Sequence, residues 1–279
     1  MPSTPAAAHK DKDLTLLTKH LRVDIIRMIE AAGSGHPGGS LSVIDLLTVL
    51  YWKFLKHDPK RPDWADRDRV ILSKGHACPA LYAVMAHRGY FPPESLSTLR
   101  KLDSPLQGHP DRLRLPGIEF STGSLGQGLS VAIGMALAAK MDGKAWKTYA
   151  IMGDGEMQEG QVWEALMSAP KFKLDNLVAI VDYNGGQIDG PVKEVMDLEP
   201  LADKLKTFNW AVQVVDGHDL AAIEKALAAA QKTDGRPHMI VAKTVKGEGV
   251  SFMENNIAWH GSAPKKADAD KAVEEILHG

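Results

Sequence analysis

Apolar residues recur at helical spacing near the start of the chain and predict an amphipathic first helix. The positions are Leu14, Leu17, Leu21, Ile25 and Met28. Gly33 supplies a stop signal for this helix. A second helix is predicted to begin at Ser42, with Asp45 as its capping-box partner, and to run through Tyr51. Residues 33–39, between the two helices, are so rich in glycine that they predict a loop at a close backbone approach.

Short apolar runs further along the chain have the composition of buried parallel strands. They cover residues 69–72, 148–152, 177–181, 211–215 and 239–242, and helical stretches at 130–141, 158–168 and 220–231 alternate with them. A last short helix is predicted at 267–277. This alternation predicts an α/β fold, with a parallel sheet covered by helices on both faces. The expected organisation is a disordered tail over residues 1–13, followed by one domain over residues 14–279.

Composition and charge restrict the class of protein. Hydrophobic residues make up 44% of the chain and charged residues 24%, as in ordinary soluble proteins. The net charge of −2 has no long run of one sign, so nothing points to nucleic acid or a membrane surface as a partner. The longest apolar run, residues 131–139, is too short to span a bilayer. The single cysteine, Cys78, excludes an intrachain disulfide and favours a reducing, cytoplasmic compartment.

Unusual polar residues collect where the predicted strands end. The segments are 73–76, 153–155, 182–184 and 216–218. In an open parallel sheet, ligands bind outside the carboxyl ends of the strands. The sequence therefore predicts a single site along one edge of the sheet.

The turn Gly153-Asp154-Gly155 holds one carboxylate between two glycines after a strand. Asp154 is a candidate ligand for a hard cation that bridges to phosphate, since Mg²⁺ is bound by few carboxylates plus phosphate oxygens. A dinucleotide-binding turn is the rival, although Gln158 stands where its third glycine belongs, and an exposed turn is the plainest alternative. Asn184 ends the next predicted strand and would lie beside Asp154, unless it only forms an Asx turn. Carboxylate, amide and backbone carbonyl oxygens suit an oxygen-loving metal, not zinc.

The Gly-Asp-Gly turn followed thirty residues later by Asn184 resembles the thiamine-diphosphate fingerprint, with Tyr183 in place of the usual first asparagine. Six segments, in order, resemble transketolase loops. They are SGHPGGS at 34–40, SKGHA at 73–77, GHP at 108–110, STGSLGQGLS at 121–130, GDGEMQEG at 153–160 and WHG at 259–261. The likeness runs from about Leu14 to Ser262, nearly the whole chain. Each motif alone is weak, and their order makes the resemblance to the transketolase family strong.

The resemblance implies a thiamine-diphosphate-binding fold with a bound Mg²⁺, or Ca²⁺ or Mn²⁺. Asp154 and Asn184 would be side-chain metal ligands, and Gly186 would offer its main-chain carbonyl. The residues implied to line the cofactor are His36, His76, Gly123, Ser124, Leu125, Gly155, Asn184 and His260. Gly185 and Gly186 replace a bulkier pair common in the family, which makes the third metal ligand the least typical element of the set.

Three histidines would be catalytic by the same resemblance. His36 and His260 would contact both cofactor and substrate and assist proton transfer at a sugar hydroxyl, and His109 would contact the reacting end of the substrate. Histidine suits these roles because its ordinary pKa lies near neutrality. The remaining histidines are interpreted as surface or turn residues: His9, His20, His57, His87, His218, His238 and His278.

A complete enzyme of this family would move a two-carbon ketol unit from a ketose phosphate to an aldose. The sequence shows no counterpart of the pyrimidine-binding half, with its glutamate, aromatic cradle and phosphate-binding arginines. The chain is therefore expected to be the N-terminal subunit of a split transketolase that works with a separate C-terminal subunit in an α₂β₂ assembly. Glu159 and Glu164, on the predicted helix at 158–168, are expected to meet the other subunit.

Three alternatives stay open from the residues. The α-subunit of a 2-oxo acid dehydrogenase also carries Gly-Asp-Gly, but SGHPG and SKGH do not belong to it. A deoxyxylulose-phosphate synthase is disfavoured for similar reasons and by length. A non-catalytic assembly subunit would have no need to keep Asp154 and Asn184 together with the loop histidines.

Overall fold

The computed structural model describes residues 13–279. In this part of the chain the helices are α1 (Leu14–Ala32), α2 (Pro37–Val49), α3 (Cys78–Arg88), α4 (Gln127–Met141), α5 (Gly160–Lys171), α6 (Val192–Val195), α7 (Leu201–Thr207), α8 (Leu220–Ala229) and α9 (Lys266–His278). The strands are β1 (Arg69–Leu72), β2 (Thr148–Gly153), β3 (Leu177–Tyr183), β4 (Gly186–Gln187), β5 (Gly190–Pro191), β6 (Ala211–Asp216) and β7 (His238–Lys243).

Five of these strands form one parallel sheet in the order β1-β2-β3-β7-β6. They are the five strands predicted from the apolar runs, with ends that differ by at most two residues from the predicted ones. The two-residue strands β4 and β5 form a separate antiparallel hairpin directly after β3. Parallel strands need crossover connections, and helices supply most of them here.

Side chains from the sheet enter two hydrophobic clusters, one on each face. Along β3, Val178 and Ile180 join the cluster covered by α1, α2, α3, α8 and α9. Leu177, Ala179 and Val181, which alternate with them, join the cluster covered by α4, α5 and α7. Helices therefore cover both faces, as predicted. Within residues 13–279, no helix is long and apolar enough to cross a membrane.

The start of α2 differs from the prediction. The helix begins at Pro37 and not at Ser42, so the second half of the predicted 33–39 loop is its first turn. Proline suits the first helical position because its fixed φ is already helical and no N–H is lost there. A Cβ atom at Gly38 would lie 3.1 Å from Lys246 Cγ, so close packing, and not a loop, explains this glycine. Asp45 does not cap the helix but forms a buried ion pair with Arg22.

Other boundaries shift by less. A 3₁₀ turn, Gly155–Gln158, precedes α5, which begins at Gly160 and not at 158. Glu159 is consequently the N-cap of α5, and only Glu164 lies on the helix itself. The predicted tail over residues 1–13 lies outside the described residues, except for Asp13. The Asp13 side chain accepts hydrogen bonds from the backbone of the first turn of α1 and so caps that helix.

Candidate active site

The carboxyl ends of β1, β2, β3 and β7 lie along one edge of the sheet. The register pairs Gly153 with Asp182, and Asp182 in turn with Ala242. Three of the segments that follow these strands, 73–76, 153–155 and 182–184, were predicted from their polar residues, and the segment after β7 was not. The fourth predicted segment, 216–218, follows the edge strand β6. The segments after β1, β2, β3 and β7 lie side by side. They include one predicted histidine, His76, and both predicted side-chain metal ligands, Asp154 and Asn184.

Asp154 is buried, with 2% of its surface exposed. Its Oδ1 accepts the Gly155 N–H at 2.9 Å, and its Oδ2 accepts the Gly185 N–H at 2.5 Å. Burial, with the nearby Asp182 carboxylate, raises the pKa of Asp154 to about 6. A buried carboxylate whose charge is disfavoured in this way gains from a cation beside it. The turn therefore suits a metal ion.

Asn184 lies next to this carboxylate, with its amide held at both ends. Its Nδ2 donates to Ser42 Oγ and to Asp182 Oδ2, each at 3.2 Å, while its Oδ1 accepts the Gly186 N–H at 3.1 Å. The carbonyl of Gly186 accepts from Lys246 Nζ at 3.1 Å. One carboxylate, one amide oxygen and one carbonyl form the donor set that a hard divalent cation prefers. In residues 13–279, no group of three or more His, Cys, Asp or Glu side chains is placed to hold a metal ion.

The two glycines after Asn184 have different reasons, close packing at Gly186 and backbone conformation at Gly185. A Cβ atom at Gly186 would lie 2.7 Å from Ile257 Cδ1 and 3.0 Å from Lys246 Cδ. The space that a side chain would fill is thus taken by Ile257 and Lys246. Gly185 has a φ of +73°, in the left-handed region that favours glycine.

Three of the predicted histidines form a triangle. The ring centroids are 5.2 Å apart for His36 and His76, 5.5 Å for His36 and His260, and 5.3 Å for His76 and His260. Burial, with Arg100 and His109 nearby, lowers the pKa of His36 to about 4. Burial, with Lys246 nearby, lowers the pKa of His260 to about 3. The three rings are therefore neutral near pH 7, since burial also holds the pKa of His76 well below its usual value.

Two atoms of this triangle have no partner. His36 Nδ1 and His260 Nδ1 are buried without a hydrogen bond to any of the described residues. Buried polar atoms in folded proteins nearly always have a partner, and those that lack one often mark the place of a ligand or water. These two nitrogens are therefore available to a bound molecule.

His109 lies against the loop that leads into α4. Gly123 has a φ of +143°, and a Cβ atom there would lie 3.0 Å from the His109 ring. On the other side of this loop, a Cβ atom at Gly75 would lie 2.8 Å from Gly123 N. The loop that carries Ser124 and Leu125 is therefore packed between His109 and the segment that carries His76. The structure brings all the predicted site residues to the same edge of the sheet.

Three charged residues of the site had no predicted role, although Lys74 and Asp182 lie within the predicted segments 73–76 and 182–184. Lys74 and Asp182 form an ion pair, with at most 2% of either side chain exposed. Lys246 is 2% exposed, and burial with Lys74 nearby lowers its pKa to about 8. One sequence signal was available: Lys246 lies shortly after β7, the one strand of the sheet whose end carries no predicted polar segment.

His218, interpreted above as a surface or turn histidine, supports the Lys246 segment. Its Nδ1 is 2.7 Å from Asp45 Oδ2, and its Nε2 accepts the Val245 N–H at 2.8 Å. Because Nε2 accepts, the proton of the neutral ring is on Nδ1 and is donated to Asp45. The ring thus ties α2 to the residue before Lys246.

Comparison with known proteins identifies the family. The family model described as "Transketolase, thiamine diphosphate binding domain" matches residues 14–277. A 6-deoxy-6-sulfo-D-fructose transketolase subunit from Clostridium sp. (strain MSTE9) is 48% identical over 95% of this chain and 96% of its own length. One of the subunits of an apulose-4-phosphate transketolase from Phocaeicola vulgatus is 41% identical over 94% and 93%. Human transketolase is 41% identical over 92% of this chain but only 41% of its own length.

Solved structures agree. A transketolase from Campylobacter jejuni superposes with a TM-score of 0.89 at 36% identity, over 95% of this chain and 43% of that one. A transketolase from Leishmania mexicana gives 0.90 at 32% identity, over 95% and 41%. The predicted fold and the thiamine-diphosphate fingerprint are confirmed, and the 2-oxo acid dehydrogenase alternative is not supported. The chain belongs to the transketolase family, as its thiamine-diphosphate-binding part.

Proposed function

We propose that this chain is the cofactor-binding subunit of a split transketolase that moves a two-carbon ketol unit from a ketose phosphate to an aldose acceptor. The observation that carries the proposal is the match to relatives that are themselves named as transketolase subunits. Two of them are 48% and 41% identical to this chain over 96% and 93% of their own length. A second polypeptide then supplies the pyrimidine-binding half, and residues 14–279 act as one domain.

In this proposal, Asp154, Asn184 and the Gly186 carbonyl hold Mg²⁺, or Ca²⁺ or Mn²⁺. Their oxygens form the hard donor set described above, and the burial of Asp154 favours a cation there. The residues assigned to thiamine diphosphate are His36, His76, Gly123, Ser124, Leu125, Gly155, Asn184 and His260. When bound, the cofactor supplies the carbon nucleophile of the reaction, and the protein binds and orients.

The catalytic residues in this proposal are His36, His109 and His260. Neutral imidazoles hold or accept a proton at a substrate hydroxyl, and the pKa of His36 and His260 lies below 5. Their buried Nδ1 atoms lack partners among the described residues, which supports a role toward a bound molecule. His109 lies against the Gly123 loop, where it would contact the reacting end of the sugar.

The substrate class follows from the same relatives. These relatives are named for a sulfo-sugar and a sugar phosphate, and both of these sugars carry an anionic group. A ketose with an anionic end is therefore the proposed donor, with the phosphate as the first choice. The subunit that binds this end is the partner in our proposal.

A partly exposed apolar face on α4 and α5 supports assembly. Its members, here called the α4–α5 face, are Val131, Gly134, Met135, Ala138, Trp163 and Met167. Met167 is 58% exposed, and a Cβ atom at Gly134 would meet nothing within 4 Å. Small and apolar residues on an exposed helix favour the approach of another helix. We propose that this face joins the other chains of an α₂β₂ assembly.

The first experiment is purification from the native host, with identification of the co-purifying subunit by mass spectrometry. The chain alone and the complex are then assayed with a ketose phosphate or a 6-sulfo ketose, an aldose, thiamine diphosphate and Mg²⁺. Turnover by the complex only is expected. Full turnover by the chain alone, with no second polypeptide, would contradict the split-subunit proposal.

A matched pair of variants tests the assembly face. Gly134→Arg places a charged side chain in open space on α4, so the lone chain should fold while the assembly dissociates. Ala228→Arg, at an exposed position of α8 on the other side of the sheet, is the control and should assemble normally. Sedimentation velocity measures both. Normal assembly of Gly134→Arg would show that the α4–α5 face is not the interface.

A further inference from the structure

Asp182, at the end of β3, is fully buried and accepts hydrogen bonds from four side chains, three of them from other segments of the chain. Lys74 Nζ, after β1, donates to its Oδ2. Ser42 Oγ on α2 donates to the same oxygen at 2.6 Å, and Asn184 Nδ2 does so at 3.2 Å. Thr244 Oγ1, after β7, donates to Oδ1 at 2.5 Å. One carboxylate thus joins the strand ends that carry the candidate site.

These bonds decide which way the Asn184 amide points. The oxygen and nitrogen ends of an amide are nearly equal in size, so hydrogen-bond partners fix its orientation. Asn184 Nδ2 faces two acceptors, Asp182 Oδ2 and Ser42 Oγ. The oxygen of the amide must then face the other way, toward the Gly186 N–H. The amide oxygen therefore lies on the side of Gly186, whose carbonyl is the third candidate ligand.

Lys74 balances the charge of this arrangement. Its ammonium is paired with Asp182 and also donates to the Gly39 carbonyl at 2.9 Å. Without this pair, the fully buried Asp182 would place a second, uncompensated negative charge close to Asp154. With the pair neutral, Asp154 carries the local negative charge available to a cation.

We propose that Asp182, with Lys74 as its counter-ion, is a positioning residue that turns the Asn184 amide oxygen toward the metal and so sets the affinity for the divalent cation. Residues that hydrogen-bond to metal ligands and fix their orientation commonly influence the metal affinity, as the ligands themselves do. The inference rests on the proposed function, because the cation is the one bound with thiamine diphosphate. A purely structural Asp182 would affect stability alone.

The test measures Mn²⁺ binding by electron paramagnetic resonance, through the signal of free Mn²⁺. The sample is the complex of the chain with its partner, in the presence of saturating thiamine diphosphate. Asp182→Asn should weaken Mn²⁺ binding by about 10–100-fold. The exchange variant Asp182→Asn/Asn184→Asp should recover most of the affinity, because a carboxylate at 184 presents an oxygen in either orientation. Ser42→Ala removes only one of the two acceptors and should cost less than Asp182→Asn.

Asp68→Asn is the matched control. Asp68 is also buried and accepts the backbone N–H groups of Lys56 and Lys147, both at 2.8 Å, beside the amino ends of the strands. It should lower the melting temperature while leaving Mn²⁺ affinity unchanged.

The outcomes distinguish the positioning role of Asp182 from the proposed function on which it rests. Parental Mn²⁺ affinity in Asp182→Asn, or no recovery in the exchange variant, would overturn the inference. If Asp182→Asn does not fold, the milder Ser42→Ala and the exchange variant decide, and parental affinity in Ser42→Ala would count against it. Failure of the unsubstituted complex to bind Mn²⁺ and thiamine diphosphate would instead contradict the proposed function, and the inference with it.

Discussion

The metal side of the candidate site, around Asp154 and Asn184, and its histidine side, around His36 and His260, are built in opposite ways. On the metal side, both carboxylate oxygens and both ends of the amide have hydrogen-bond partners within the chain. On the histidine side, the buried Nδ1 atoms of His36 and His260 have none among the described residues. One side is fixed by the fold itself, and the other is open.

This difference predicts how each side of the site responds to amino-acid substitution. A fully bonded polar network is rigid and tolerates little substitution, because each lost partner leaves a buried group unsatisfied. Rings without hydrogen-bond partners contribute little to folding, so their replacement acts on the bound molecule and not on the fold. The predictions below test this contrast, from the largest expected effect to the smallest.

Replacing the open histidines should affect turnover far more than stability. His36→Ala and His260→Ala should each lower turnover of the assembled enzyme by about 10²–10⁴-fold if the ring moves a proton. Thermal unfolding should shift little, because no hydrogen bond of the unpartnered Nδ1 atoms is lost. His238→Ala is the control. The buried His238 ring, on β7, forms a hydrogen bond of 2.9 Å with the Lys232 carbonyl, so this variant should be less stable but should keep the parental turnover. Parental turnover in both site variants would show that the roles assigned here are wrong.

On the metal side, Asp154→Ala should weaken thiamine diphosphate binding in the presence of Mg²⁺ by at least about 100-fold. Substitution of a residue that only supports a metal ligand already lowers metal affinity by about 10–100-fold. Calorimetry on the assembled enzyme, with and without Mg²⁺, measures the effect. Asp154→Asn removes the buried charge but turns an amide nitrogen toward the N–H of Gly155 or Gly185, so the metal-free protein should be less stable than the parent. Equal cofactor affinity in parent and Asp154→Ala would contradict the metal assignment.

Acidification should lower the stability of the protein through His36 and His260, on the histidine side of the site. Burial lowers the pKa of His36 to about 4 and of His260 to about 3. Their contribution to stability is therefore present above about pH 6.5, the ordinary histidine pKa, and is lost as the pH falls toward 4, because the unfolded chain binds protons first. Arg100, His109 and Lys246 face these rings and oppose their charging.

The measurement is the melting temperature of the chain between about pH 7.5 and 4.5, the window in which the unfolded histidines take up protons. A His36→Asn/His260→Asn double variant should lose less stability on acidification than the parent. Asp154, whose pKa is raised to about 6, works in the opposite direction, so the difference between variant and parent isolates the histidines. Parallel curves for the two proteins would refute the prediction.

The sequence predicted the sheet and its functional edge because the signal is local. Buried parallel strands are short apolar runs, and the polar residues after 72, 153 and 183 mark their ends. The start of α2 was missed because Gly38 and Gly39 have low helix propensity, and contact with Lys246 overrides that propensity. Single-sequence patterns do not contain such a contact, since its partner lies far away along the chain.

The charged pair behind the metal site was missed for a related reason. Lys74 and Asp182 are 108 residues apart in the sequence, and each alone looks like a solvated charge at a strand end. Only the neighbouring positions of β1, β2 and β3 in the sheet bring them together. The candidate ligands, by contrast, stand in recognisable motifs and needed no such pairing.

The smallest predicted effect compares one glycine from each side. At Gly186, an added Cβ would lie 2.7 Å from Ile257 Cδ1, so Gly186→Ala should cost about 1–3 kcal/mol of stability through overpacking. At Gly261, an added Cβ would lie 3.4 Å from His36 Cδ2, an ordinary contact, so Gly261→Ala should be nearly neutral. Adding Ile257→Ala to Gly186→Ala should recover part of the loss, because it removes the clashing atom. Denaturant unfolding of the four proteins measures these differences. Equal costs at the two glycines would mean that the metal side is no more tightly packed than the histidine side, and the contrast drawn here would not extend to packing.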